Sequence, residues 1–142
     1  MSKADETFFT SVGCMDGRAQ GAVAEFGRKK FSAQFPDTIT EAGLVGLLSK
    51  DATDERLLDS LKKKIIISLE KHHSKGIIVH GHQECAGNPV DDARHKDDIR
   101  KSVQIIKSLV NSSITVVGVF VKRSPKDPNI WETEEIPVTV TV

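Results

Sequence analysis

The sequence predicts an open α/β sheet with helices on both faces, in one domain spanning residues 1–142. Three observations carry that expectation. Apolar, β-branched runs recur at residues 8–13, 77–79 and 114–121. Stretches with apolar residues at helical spacing alternate with them. A chain of 142 residues holds one hydrophobic core and is too short for two of comfortable size.

Residues 8–13 (FFTSVG) form the first strand, closed by a glycine. Ala19, Ala22, Val23 and Phe26 then recur at helical spacing, which predicts a helix over 18–30. Pro36-Asp37 punctuates the chain, and Thr38-Ile39-Thr40 reads as a brief second strand that stops at Gly43. Residues 44–48 are a helical turn or two. Thr53, Asp54 and Glu55 cap a long helix over 54–73, striped by Leu57, Leu58, Leu61, Ile65 and Leu69 and ended by Gly76 as the left-handed closing residue. Ile77-Ile78-Val79 has no alternation and reads as a strand buried on both faces. Asn88-Pro89 is a turn. Asp91, Asp92, Asp97 and Asp98 crowd the positive end of the next helix, whose apolar face is Ile99, Val103, Ile106 and Val110. A fourth strand follows over 114–121, a proline-rich loop over 124–129, and an edge strand over 136–142.

Lys plus Arg and Asp plus Glu each number 20, so the formal net charge is zero. That balance argues against a nucleic-acid or anionic-membrane partner, which calls for a basic surplus. Hydrophobic residues at 38% with charged residues at 28% fit a folded, soluble chain, and no apolar run reaches bilayer-spanning length. The first seven residues are polar and acidic with no apolar stretch, so a secretory signal is not expected and the expected compartment is the cytoplasm.

The chemistry-bearing residues fall into two clusters. Cys14 follows the first strand in Cys14-Met15-Asp16-Gly17-Arg18. His82 and Cys85 follow the Ile77 strand in Gly81-His82-Gln83-Glu84-Cys85-Ala86-Gly87. In open parallel sheets, ligands bind at the carboxyl ends of the strands. If these two strands are neighbours, two thiolates and an imidazole converge, a zinc donor set that leaves a fourth position open. Asp16 is near enough to fill that position or to hydrogen-bond a water there, and Arg18 can pair with it and keep it ionised. Two buried thiols with a core histidine, or a redox pair, are the competing readings of the same residues.

Other polar residues are assigned more plainly. His80 shares the side-chain direction of His82 on its strand and is expected to pack under the sheet, with proton carriage as the alternative. His72 and His73 end a helix, and His95 heads one and is expected to be solvated. Glu84 is expected in solvent, or else as a partner of His82. Trp131 is expected in the core or at a subunit contact.

Cys-x-Asp-x-Arg, followed by Gly-His-x-x-Cys after a β-branched strand, resembles the β-class carbonic anhydrases over residues 8–121. The resemblance implies catalytic Zn²⁺ held by Cys14, His82 and Cys85, with Asp16 and Arg18 as the family's dyad. It implies a four-stranded parallel core of order 2-1-3-4, which sets the Cys14 strand beside the Ile77 strand. It also implies a homodimer or higher homo-oligomer. The implied reaction is reversible hydration of carbon dioxide to bicarbonate by a metal-activated water. Asp16 orients that water or, in a closed form, becomes the fourth ligand. Hydrolysis of carbonyl sulfide or carbon disulfide, and a non-catalytic zinc-binding role, are the alternatives on the same fold. Two positions depart from the family pattern. Thr40-Glu41-Ala42-Gly43 stands where the family reads Arg-Asn-Ala-Gly, and Ala86-Gly87 stands where it has two glycines.

Overall fold

The computed structural model describes residues 5–138. Strand β1 (Phe8–Gly13) leads into α1 (Gly17–Phe31), whose first turn is capped by Asp16 accepting the Arg18 N–H at 2.9 Å. Strand β2 (Phe35–Thr40) follows, then the short α2 (Leu44–Leu48) and α3 (Glu55–Lys71), capped by Asp54 through the Arg56 N–H at 2.8 Å. Strand β3 (Ile77–His82) is buried throughout. Helix α4 (Asp92–Leu109) begins on Asp91, and β4 (Val116–Arg123) and β5 (Trp131–Ile136) form the final hairpin.

The sheet order is β2-β1-β3-β4-β5, parallel except for the antiparallel β4–β5 pair. This is the expected 2-1-3-4 order with one further strand. Helix α1 covers one face, setting Ala19 and Val23 against Phe9, Ile78 and Val119. Helices α2, α3 and α4 cover the other, where Leu48, Ile65 and Val103 join a cluster with Val12, Val79 and Phe120. From β1 the chain passes to β2 on one side, while β3 pairs on the other, so the carboxyl ends of β1 and β3 frame the crevice where the order reverses. No described helix is long and apolar enough to cross a membrane.

Three expectations are corrected. The last described strand is Trp131–Ile136, ahead of the expected 136–142; Pro137, which has no N–H to give a ladder, follows its last paired residue, and residues 139–142 of the expected strand lie outside the described ones. Strand β2 begins at Phe35, three residues before the expected Thr38, because on the outermost strand of the sheet Pro36 sacrifices no essential hydrogen bond. The left-handed residue after α3 is His73, at φ 53°, and not Gly76. Gly76 instead makes room for the Phe31 ring, whose Cε1 would lie 2.1 Å from a Cβ there.

Candidate metal centre

Cys14 lies one residue beyond β1, and His82 closes β3. Because β1 and β3 are adjacent, with Gly13 opposite His80, the two strand ends deliver their side chains to one place. The Cys14 and Cys85 sulfurs and a ring nitrogen of His82 all lie within 4.8 Å of one another, and all three residues are buried. The two sulfurs are 3.7 Å apart. On the outer side of Cys14, the Gly43 N–H donates to its sulfur at 3.4 Å. Gly43 reaches that position in a left-handed conformation, φ 63°, and packs so tightly on Gly87 that a Cβ would lie 2.4 Å from the Gly87 oxygen.

The His82 ring is oriented by its own neighbour. Its Nδ1 lies 2.7 Å from the Gln83 carbonyl oxygen, which can only accept, so Nδ1 carries the proton and Nε2 presents a lone pair. That Nε2 is buried and has no hydrogen-bond partner. A buried acceptor left without a donor is costly, and a cation is the group that satisfies it beside two thiols.

The local electrostatics point the same way. Burial raises the Cys14 thiol, but the adjoining His82 ring and the Gly43 and Asp16 backbone outweigh it and bring the thiol down to about 6. His82 is lowered by burial yet raised overall by Cys14 and the Gln83 carbonyl. Cys85 is pushed up by burial and by the charge of Cys14. A metal ion bound there would replace those protons at the same atoms.

Asp16 stands beside this cluster, with Oδ2 3.8 Å from His82 Nε2. Arg18 holds it at both oxygens, Nε to Oδ1 at 3.1 Å and Nη2 to Oδ2 at 2.7 Å. The Arg18 hydrogen bond drives the Asp16 carboxyl down to about 2. Gln20, one helical turn after Asp16, donates to the Cys14 and Asp16 carbonyls at 2.8 and 2.9 Å and pins this loop to α1. Sequence reasoning did not single out Gln20, although its spacing on the helix was a usable signal.

With this geometry in place, the comparisons with known proteins become informative. Residues 4–136 match the family model described as putative carbonic anhydrase. The chain belongs to this carbonic anhydrase family. Among solved structures, the carbonic anhydrase of Streptococcus mutans is similar at a TM-score of 0.59 and 17% identity, over 90% of this chain and 81% of that one. The β-carbonic anhydrase isoform I of Trichomonas vaginalis is similar at a TM-score of 0.56 and 15% identity, over 96% of this chain and 87% of that one. A search of curated protein sequences gives no significant match.

Within the carbonic anhydrase fold, the remaining histidines separate cleanly. His80 is fully buried and its ring lies over Gly13, where a Cβ would come 2.3 Å from Nε2. Burial first, then the nearness of His82, lowers it to about 3, so the ring is neutral. His95 contradicts the expectation of a solvated ring. It is 2% exposed and packs between Phe120, 5.6 Å away by ring centroid, and His82, at 6.4 Å. It sits one turn before Ile99 on the apolar stripe of α4, and that period was the signal for burial. Glu41 is exposed and contributes its N–H to the Gly13 carbonyl at 3.1 Å, and Ala86 is exposed.

The Glu84 carboxylate pairs with arginines and not with His82. It receives Arg123 Nε at 2.6 Å and Nη2 at 3.0 Å, and both Arg18 and Arg123 face the Trp131 ring. Arg123 and the polar role of Trp131 had no local signal, since the sheet alone brings them to the residue-84 loop.

Proposed function

We propose that the protein is a zinc-dependent carbonic anhydrase that interconverts carbon dioxide and bicarbonate. One observation carries the reading. Two thiols and an unpartnered imidazole nitrogen lie within 4.8 Å of one another, and a clamped carboxylate stands 3.8 Å from that nitrogen. Two sulfurs and one nitrogen suit zinc, and oxygen-seeking cations such as magnesium do not take such a set. When bound, zinc acts as a Lewis acid that brings the pKa of a water toward neutrality.

The chain's own residues supply the rest. Cys14, His82 and Cys85 hold the ion at the strand ends. The Gln83 carbonyl keeps the His82 ring in the tautomer and rotation that aim Nε2 inward. Asp16 stays ionised, so its Oδ2 can accept a hydrogen bond from the attacking oxygen and turn that oxygen's lone pair toward the carbon of the substrate. Arg18 fixes Asp16 and need not reach the substrate.

The test is the carbon dioxide hydration rate of zinc-loaded protein against a Cys14→Ser control, from about pH 6.5 to about 9. A rate well above buffer that is lost in Cys14→Ser is the expected result. A buffer-level rate from fully metallated protein would overturn the hydratase reading. Carbonyl sulfide and carbon disulfide would then be the substrates to assay.

A further inference from the structure

We propose that Arg123, acting through Glu84 and Trp131, is a positioning residue that keeps Arg18 clamped on Asp16 and so holds the Asp16 carboxylate off the metal ligands. The inference rests on the metal-site reading above and extends it to residues some 100 positions along the chain from the Asp16–Arg18 pair.

Arg18 is 41% exposed, and a lone surface arginine has little reason to keep one rotamer. Here both of its terminal nitrogens are held by Glu84. Nη2, besides serving Asp16, donates to the Glu84 carbonyl at 3.1 Å, and Nη1 donates to the Glu84 carboxylate at 3.4 Å. Glu84 offers both groups from a left-handed backbone, φ 58°, a conformation a non-glycine residue adopts at some energetic cost. Something must repay that cost, and Arg123 is placed to do so. Its fork grips the Glu84 carboxylate at 2.6 and 3.0 Å, and its Nη1 donates to the Pro128 carbonyl at 2.7 Å.

The β4–β5 hairpin builds this brace. Arg123 and Trp131 are directly paired across it, so one rung supplies both the cation and the ring. The guanidinium carbons of Arg123 and Arg18 lie 4.5 and 5.1 Å from the indole centroid, so both cations rest against one ring while the Glu84 carboxylate pairs with each of them. The rung is tied to the ligand loop a second time, since the Arg123 N–H donates to Gln83 Oε1 at 2.8 Å. Gln83 is the residue whose carbonyl orients His82. The brace therefore reaches the site at two points, the His82 ring and the Asp16 carboxylate. Freed from Arg18, Asp16 needs only a side-chain rotation to bring an oxygen into the donor cluster, because Oδ2 already lies 3.8 Å from His82 Nε2.

The test uses the full chain loaded with Co²⁺ in place of spectroscopically silent zinc. It compares wild type, Arg123→Ala, Arg123→Lys, Asp16→Asn and the Asp16→Asn/Arg123→Ala double variant. Three quantities are read: the visible absorption of the bound cobalt, the rate at which EDTA strips it, and kcat and KM for carbon dioxide hydration by the zinc forms. In Arg123→Ala, a shifted cobalt spectrum and slower stripping are expected as Asp16 joins the ion, with kcat falling about tenfold and KM nearly unchanged. The spectral shift should vanish in the double variant, which lacks the carboxylate. Arg123→Lys keeps the charge without the fork and should recover only part of the change. A wild-type spectrum in Arg123→Ala, or a shift that persists in the double variant, would overturn the proposal. The spectrum needs no turnover, so a cobalt shift in an inactive protein supports the brace while refuting the hydratase reading. Unchanged spectra in an active protein do the reverse.

Discussion

The two ends of the sheet carry polar side chains of similar kinds to opposite effect. At the amino end, Thr10 Oγ1 lies 2.7 Å from both Ser68 Oγ and Ser74 Oγ. Ser68 donates to Asp37 Oδ2 at 2.7 Å, and His72 Nδ1 meets the same oxygen at 2.7 Å while its ring stacks on Phe8. The chain of bonds ties the last turn of α3 to β1 and β2. At the carboxyl end, the buried His82 Nε2 has no partner, two thiols face each other without a disulfide, and Gly43 and Glu84 hold left-handed conformations. A histidine beside a carboxylate is thus a fastening at one end. At the other, a histidine aimed at two sulfurs is placed to hold a metal ion. What separates them is the company each ring keeps: His72 already meets a carboxylate, whereas the unpartnered His82 Nε2 shares its place with two sulfurs.

The largest expected effect comes from breaking the carboxyl end. His82→Ala should abolish stoichiometric zinc binding, measured by metal analysis after dialysis, and hydration activity with it. Without the imidazole, the melting temperature should no longer rise on adding zinc. Asp16→Asn should retain the metal and lower kcat about a hundredfold, which stopped-flow kinetics on zinc-loaded protein would measure. That split separates holding the ion from using it.

The amino end should respond the other way. Asp37→Ala leaves the nearly buried Ser68 hydroxyl without its acceptor and should cost about 1–3 kcal/mol in urea unfolding. Its zinc content and kcat/KM should stay at wild-type values. Gly13→Ala joins the two regimes, since its Cβ would collide with the His80 ring one residue before Cys14. It should destabilise the fold by about 1–3 kcal/mol and also weaken zinc retention in a chelator competition.

The smallest effect lies between the two ends, on the β4–β5 hairpin. Hydrogen bonds from Lys96 and then Lys122 lower the Glu134 carboxyl below its ordinary value of 4.5. A lowered folded-state value contributes stability above the unfolded value, and that contribution is lost as the pH falls through the folded one. Glu134→Gln should therefore be slightly less stable than wild type at neutral pH. The difference should close as unfolding is followed from pH 7 to below the lowered value.

Most of this architecture was legible because local signals agreed with the fold. Asp54 and Asp91 marked the starts of α3 and α4, and the leucine–isoleucine stripe of α3 and the unbroken Ile77-Ile78-Val79 run marked their elements. The spacing of Cys14, His82 and Cys85 brought the donor cluster into view once the two strands were set side by side. The C-terminal edge strand was expected but placed too late, because Trp131–Ile136 is mostly polar and becomes a strand only by pairing with β4. The valine–threonine alternation after it drew the assignment away. His95 was misjudged from its position at the head of its helix, which overlooked its place on the stripe. Arg123 and Trp131 were out of reach of any local pattern, since their meeting with Glu84 is a product of the sheet order.

X-ray absorption at the zinc edge of the zinc-loaded protein addresses the metal centre most directly. Two sulfur neighbours at about 2.3 Å and one imidazole nitrogen at about 2.0–2.1 Å are expected, with an oxygen in the remaining position. A zinc ion surrounded only by nitrogen and oxygen would contradict a centre built from Cys14, His82 and Cys85.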